Sequence, residues 1–552
     1  MKRPAHLANW IPPAVYVLTA LIILGPALGY GYIFTLDMVF TPHMPMPAVA
    51  SNLAPYNALM SALSYVVPSW LLQKLLLTSI LAGAGLGMHR LVSADYFWAK
   101  LAAGLFYMIN PFTYDRLMAG QYLVLAGYAL LPWLLRALLR LLESPGWKPG
   151  LALGGWLIAI GCVSLHTLGF ALAICTLAII IALGHRRYRH RPLRQLAVAG
   201  ALAIGTLLMV SLYWIVPLTT HRTAQAALIS SFDERHFLSF RTVSDPVLGV
   251  AGNVLALYGF WAEREDLYIL PKAAASYWWI AGILLGVVAL LGIGWSARKY
   301  RLATGLFACV LMVAWILAQG ITDSPFAALN HWLFQHVPFY RGYREPGKFI
   351  ALIALAESWF FGMGVAAAHD LLGRRHPAGR LAQYGPGVLL ALPLLYVPTL
   401  AWGAAGQLRA VDYPRDWYAL NQDLKTSSDT GKLLFLPWHL YLYFDFSGRL
   451  IANPAPHFFD RPTIAGDNPE IGLIKRQSPN PVSELIEAQI LGASSDRTKV
   501  GERLAGLGVE YIVLAKTADY SNYDWLDTTP GLTLVRDSAT LRIYRNLKWS
   551  RP

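Results

Sequence analysis

Apolar residues along this chain gather into blocks of about 17–25 positions, the length a helix needs to cross roughly 30 Å of hydrocarbon. The blocks run over about 11–32, 67–88, 94–110, 122–142, 150–165, 167–184, 196–217, 275–296, 302–320, 349–368 and 384–404. They predict a polytopic α-helical membrane protein of about eleven spans within residues 1–404. The pair over 150–184 is the weakest and reads equally as one broken hairpin or a re-entrant element. Long loops at 33–66, 218–274 and 320–348 interrupt the blocks. The later two mix charge with aromatics and include an amphipathic stretch, Ala327 to Val337, suited to lying on the membrane and roofing a cavity. After Trp402 the pattern changes. Residues 405–552 carry short strand-like runs at Lys432–Leu436, Glu510–Leu514, Leu532–Val535 and Thr540–Tyr544. Helical stretches at Ser483–Leu491 and Arg497–Leu504 alternate with them, which predicts a small α/β domain.

Charge orients the threading. The chain is 56% hydrophobic and only 14% charged, so lipid is its main solvent. A formal charge of +14 raises the question of nucleic acid, but the basic runs are short and each follows an apolar block. Examples are His185 to Arg191, Arg298 to Arg301, and Arg374 with Arg375. That is the positive-inside pattern, and no nucleic-acid partner is expected. Alternate loops carry Arg90 and Lys100, then Arg136, Arg140 and Lys148, then later basic clusters, whereas loop 33–66 has no Lys or Arg. The reading is N-terminus inside and C-terminal domain outside a cytoplasmic membrane. The first block follows Lys2 and Arg3, lacks a small-residue cleavage site, and reads as a retained span. Cys162, Cys175 and Cys309 fall within apolar blocks, so neither a disulfide frame nor a zinc site is indicated.

Three places offer chemistry. In the first loop, Asp37 is the only acidic residue before Asp95. A carboxylate at the lip of a span is costly unless hydrated or paired; it is either functional or a solvated turn cap. Next, Asn110 to Gln121 sets Asp115 beside Arg116, either as an ordinary ion pair or as a second carboxylate with a phosphate-binding guanidinium. His166, in a turn, has the ordinary role of a structural hydrogen-bonding residue and the alternative of a substrate contact. Third, Pro338 to Lys348 holds Arg341, Arg344, Lys348, Tyr340, Tyr343 and Glu345 on the outer side, against the positive-inside trend. Snorkelling with a Glu345 salt bridge is the plain account; a clamp for an anionic headgroup is the reading preferred here. Walker A, dinucleotide-fingerprint, HExxH and GxSxG motifs are absent, as is any chain of intramembrane carboxylates.

Taken together, the many spans, acidic first loop, roofing loops and C-terminal domain resemble the GT-C class of membrane glycosyltransferases. The stretch NPFTYDRLMAGQ (110–121) is similar to the membrane region of mycobacterial arabinofuranosyltransferase D-type enzymes. REPGKF (344–349), GVEYIV (508–513) and LRIYRN (541–546) resemble the broader YfhO-like membrane proteins. The resemblance implies a polyprenyl-phosphate sugar donor and a glycan, lipid or protein acceptor. It implies Asp37 as catalytic base or as ligand to a divalent cation, Mg or Mn. Arg116, Arg341, Arg344 and Lys348 would then hold the donor phosphate, and His43, His166, Tyr340, Tyr343 and Glu345 the substrates. The common pattern has two acids close together in the first loop. Here Asp37 stands alone, so either Asp115 supplies the second carboxylate or activity is lost or altered. A flippase for lipid-linked saccharides and a catalytically silent envelope-assembly scaffold are the rival readings.

Overall fold

A computed structural model describes residues 5–44, 50–184, 193–220, 226, 229, 231–337, 339–375, 380–427, 430–474, 480–492 and 496–551. Lys2, Arg3, the whole basic run 185–191 and Pro338 lie outside the described residues. The bundle is built from α1 (Ala5–Leu24), α2 (Ser69–Leu91), α3 (Phe97–Met108), α4 (Pro111–Met118), α5 (Tyr122–Glu143) and α6 (Trp147–Gly161). It continues with α7 (Leu165–Gly184), α8 (Leu193–Thr219), α9 (Trp278–Lys299), α10 (Arg301–Ala318) and α11 (Ile350–Arg375).

Among the described residues, eight helices are long and apolar enough to cross a membrane, against eleven expected blocks. A ninth is broken: Gly385–Tyr396 and Pro398–Gly406 meet at 71°, where Pro398 and a left-handed run from Trp402 to Ala405 interrupt the helix. The other two blocks form α3 and α6, of 12 and 15 residues, or about 18 and 22 Å. α3 stops because Asn110 caps a new helix, its side chain accepting from the Thr113 amide at 2.9 Å with Pro111 at the first helical position. The weak pair over 150–184 resolves into two helices, α6 and α7. α9 and α11 meet backbone to backbone, since a Cβ on Gly292 would overlap the Phe360 carbonyl and one on Gly364 that of Val288.

The bundle has two unlike ends. At one, α2, α5 and α6 bring together Arg90, Arg136, Arg140 and Lys148. At the other lies the loop after α1, with the C-terminal α/β region docked on it. There β1 (Tyr32–Ile33) pairs antiparallel with β2 (Ala410–Val411), Ala452 N donates to Leu36 O at 2.8 Å, and Tyr413 Oη donates to Phe40 O at 2.8 Å. Gln73, fully buried in α2, satisfies both the N–H and the C=O of Ile33. The start of α1 and the C-terminal region therefore sit at opposite ends of the bundle.

The C-terminal region contains β3 (Lys432–Leu436), β4 (Tyr441–Phe444), β5 (Arg449–Ala452), β6 (Thr463–Ile464), β7 (Val509–Ala515), β8 (Leu532–Asp537) and β9 (Leu541–Asn546). Five form a mixed sheet in the order β6-β3-β7-β9-β8, with β3 parallel to β6 and β7 and the remaining pairs antiparallel. Period-two alternation gives the sheet two apolar faces. Leu433, Phe435, Val513 and Ile543 join the core that runs into the bundle, while Leu434, Leu436, Ile512 and Tyr544 join a separate core on the far side. The hairpin β4–β5 stands apart from this sheet and reaches toward the first loop. The amphipathic stretch of the third long loop is the helix Ala327–His336.

Candidate active site

The capped helix α4 brings the second candidate stretch against the first loop. Asp37 N donates to Ala119 O at 2.9 Å, and the chain turns at Gly120 with φ +76°. A side chain on Gly120 would overlap Met38 N and Thr35 Oγ1, so only glycine allows this approach.

The Asp37 side chain is reached by solvent, yet protein closes around it on most sides. Tyr441 Oη, from β4, donates to Oδ1 at 2.8 Å, and Gln121 Nε2 lies 3.4 Å from Oδ2. Desolvation raises the Asp37 pKa above the ordinary aspartate value, while Tyr441, Gln121 and the charge of Lys348 oppose the rise. Such a carboxylate is a stronger base than a fully hydrated one.

Asp115 is elsewhere in character. It is 1% exposed, accepts from Tyr268 Oη at 3.2 Å, and faces Glu263. Burial and the Glu263 charge push its pKa far up. Glu263 in turn accepts from the amides of Gly259 and Phe260. The structure thus encloses Asp115 in the interior opposite Glu263, whereas Asp37 is reached by solvent.

Arg116 is fully buried and donates through one nitrogen to Gln121 Oε1, at 2.6 Å, and to Glu345 Oε1. Its plane lies over Phe260, 4.1 Å from the ring centre. Lys348 Nζ lies 3.5 Å from Glu345 Oε2 and 3.1 Å from His166 Nε2. Burial alone would raise the Glu345 pKa, but Arg116 and Lys348 outweigh it and hold the group ionised. Glu345 is therefore an internal counter-ion between two cations, one hydrogen bond chain away from Asp37 through Arg116 and Gln121. His166 Nε2 also lies 2.7 Å from Gly342 O, and one ring nitrogen cannot both donate to that carbonyl and accept from Lys348.

Arg344 differs from both buried cations. It makes no ion pair among the described residues, and its guanidinium is wedged over Phe232 (3.8 Å) and Phe240 (4.9 Å) with Nε unpartnered. Its charge is felt by Tyr441, the residue that holds Asp37. Arg341 is exposed and also without an ion pair. Tyr343 Oη donates to His166 O at 2.8 Å, and Tyr340 Oη to Asn330 Oδ1 at 3.1 Å, so both rings brace the loop. His43 is not brought to Asp37; it is exposed and its charge acts on Asp460 of the C-terminal region. Sequence reasoning missed Tyr441 and Glu263, and read Gln121 only as part of a motif.

A divalent cation fits this donor set poorly. Asp37 offers one carboxylate, Glu345 is already neutralised by Arg116 and Lys348, and no group of three His, Cys, Asp or Glu converges among the described residues.

The fold of the whole chain is similar to part of a solved mycobacterial membrane protein. The arabinofuranosyltransferase AftD from mycobacteria superimposes over 99% of this chain with a TM-score of 0.60 at 17% identity. A second structure of that enzyme, the R1389S mutant in its class 2 form, matches over the whole chain with a TM-score of 0.59 at 16% identity. This chain spans 40–42% of the length of those proteins. ArnT from Cupriavidus metallidurans is more distant, with a TM-score of 0.39 at 12% identity. No protein-family model and no curated protein matches the sequence.

Proposed function

We propose that this chain is a glycosyltransferase that moves a sugar from a polyprenyl-phosphate donor to a hydroxyl of a glycan, lipid or protein acceptor. The observation that carries the reading is Asp37: a solvent-reached carboxylate of raised basicity, fixed by Tyr441 and Gln121, at the end of the bundle where Arg344 makes no ion pair among the described residues. In the reaction the acceptor oxygen bonds to the anomeric carbon as the bond from that carbon to the phosphate oxygen breaks. Asp37 takes the acceptor proton. The departing polyprenyl phosphate gains negative charge, which Arg344 and Arg341 stabilise. Arg116, Glu345, Lys348 and His166 hold the Arg344 loop in position. An apolar cavity of 630 Å³, walled by Trp278, Trp279, Phe360 and Tyr396, gives room for the isoprenoid chain. It lies behind the loop from Ala256, whose Phe260 covers Arg116. The opposite end of the bundle collects cations, and the positive-inside rule supports a reaction on the extracytoplasmic face of a cytoplasmic membrane.

The test is transfer in proteoliposomes supplied with a panel of polyprenyl-phosphate sugars, alongside restoration of surface glycans in a deletion strain. Wild type transfers one of the sugars, and Asp37→Asn and Arg344→Ala do not. Wild-type glycans restored by both variants would overturn the enzymatic reading.

A further inference from the structure

The basic end of the bundle contains a hollow that the proposed reaction does not use. It measures 480 Å³, within the range of about 300–1,000 Å³ of small-ligand pockets, and opens where α2 and α5 end and α6 begins. Its floor is apolar: Trp133 and Trp156 stack at 5.8 Å and 20°, flanked by Ala137, Ala152 and Pro149. Arg90, Arg136, Arg140 and Lys148 ring it. Arg90 lies over Trp133 at 5.1 Å, and Arg136 donates to the Arg90 carbonyl, which ties α5 to the end of α2. None of the four cations pairs with a carboxylate among the described residues. Topology alone asks only that cations lie on one side of the membrane; it does not require three helices to point four of them at one pair of stacked indoles.

We infer that this hollow binds the phosphate headgroup of an anionic phospholipid from the leaflet at the basic end. Four cations that make no ion pair among the described residues repel one another, and a phosphate among them removes that repulsion while forming charge-assisted hydrogen bonds to arginine. The occupant is a lipid and not a soluble anion because the floor is apolar and runs out onto α6, where Trp147 and Leu151 are exposed at 60% and 41%. A headgroup seated here leaves its glycerol on the indoles and its acyl chains along that face.

The test uses the full chain in detergent, mixed with phosphatidylglycerol or phosphatidylcholine and read by native mass spectrometry. One phosphatidylglycerol stays bound under conditions that strip phosphatidylcholine. Arg140→Ala with Lys148→Ala lowers that retention at least about tenfold, the effect of removing two headgroup cations. The charge-preserving pair Arg140→Lys with Lys148→Arg keeps most of it, which separates loss of charge from loss of fold. Equal retention of the two lipids, or of wild type and the alanine pair, overturns the inference. So does displacement of the lipid by millimolar inorganic phosphate, which would make the hollow a site for free anions.

Discussion

Asp37 and Asp115 stand at the same end of the bundle and are linked through the last turn of α4, yet their surroundings set them apart. Both have pKa values raised by burial. Asp37 has two neutral donors, a cation within electrostatic reach and access to solvent. Asp115 has a second carboxylate opposite it and 1% exposure. Burial alone therefore does not distinguish a candidate base from a structural acid. What distinguishes them is whether the group can be anionic while something outside the protein can touch it.

The largest effect expected from this contrast is at Asp37. Asp37→Asn keeps the shape and one acceptor oxygen but removes the base, and transfer should fall by about 10²–10⁴-fold with little change in thermal stability. Arg344→Ala comes next, at about 10²-fold in kcat/KM. Arg344→Lys should recover only part of this, because an ammonium lacks the planar fork that stacks on Phe232 and binds phosphate through two bonds. A smaller effect, about tenfold, is expected for Tyr441→Phe, and its signature is the pH profile. The Tyr441 hydrogen bond opposes the rise in the Asp37 pKa, so removing it raises that pKa further. Activity requires ionised Asp37 and grows as pH rises through its pKa, so the acid limb of the Tyr441→Phe profile should move to higher pH. An unmoved limb would mean that Tyr441 only packs.

The contrast also marks what the chain discloses on its own. Block length and charge placement predict the bundle, and they fail only where a local signal competes. Asn110 with Pro111 ends α3 early, although the apolar run reads on. Strand positions within the C-terminal region follow from period-two runs and match β3, β7, β8 and β9 to within a few residues. Asp37 and Arg344 are legible because each breaks a rule of membrane composition. Tyr441 is not, since it lies 404 residues from its partner and reaches it only through the docking of β4 and β5 on the first loop. Glu263 is hidden for the same reason: nothing in the motif around Asp115 says that another carboxylate will face it. Arg116 and Lys348 are expected from sequence to hold the donor phosphate; in the structure both pair with Glu345, within the protein.

Asp115→Asn is the smallest expected change and the sharpest check on the comparison. The amide can donate to Glu263 and still accept from Tyr268, so the interior contacts survive. Transfer should stay within about threefold of wild type, since no reacting atom is touched. Stability carries the sign of the pKa shift. The folded-state pKa of Asp115 lies far above its unfolded value of about 3.9, so wild type binds more protons folded than unfolded across the intervening range. Its contribution to stability is fully present below pH 4 and is lost as pH rises toward the folded pKa. The asparagine carries no such loss, so Tm at pH 7.5 should rise relative to wild type and the difference should shrink as pH approaches 4. Loss of transfer as deep as that of Asp37→Asn, with Tm unchanged, would instead put both carboxylates into the chemistry.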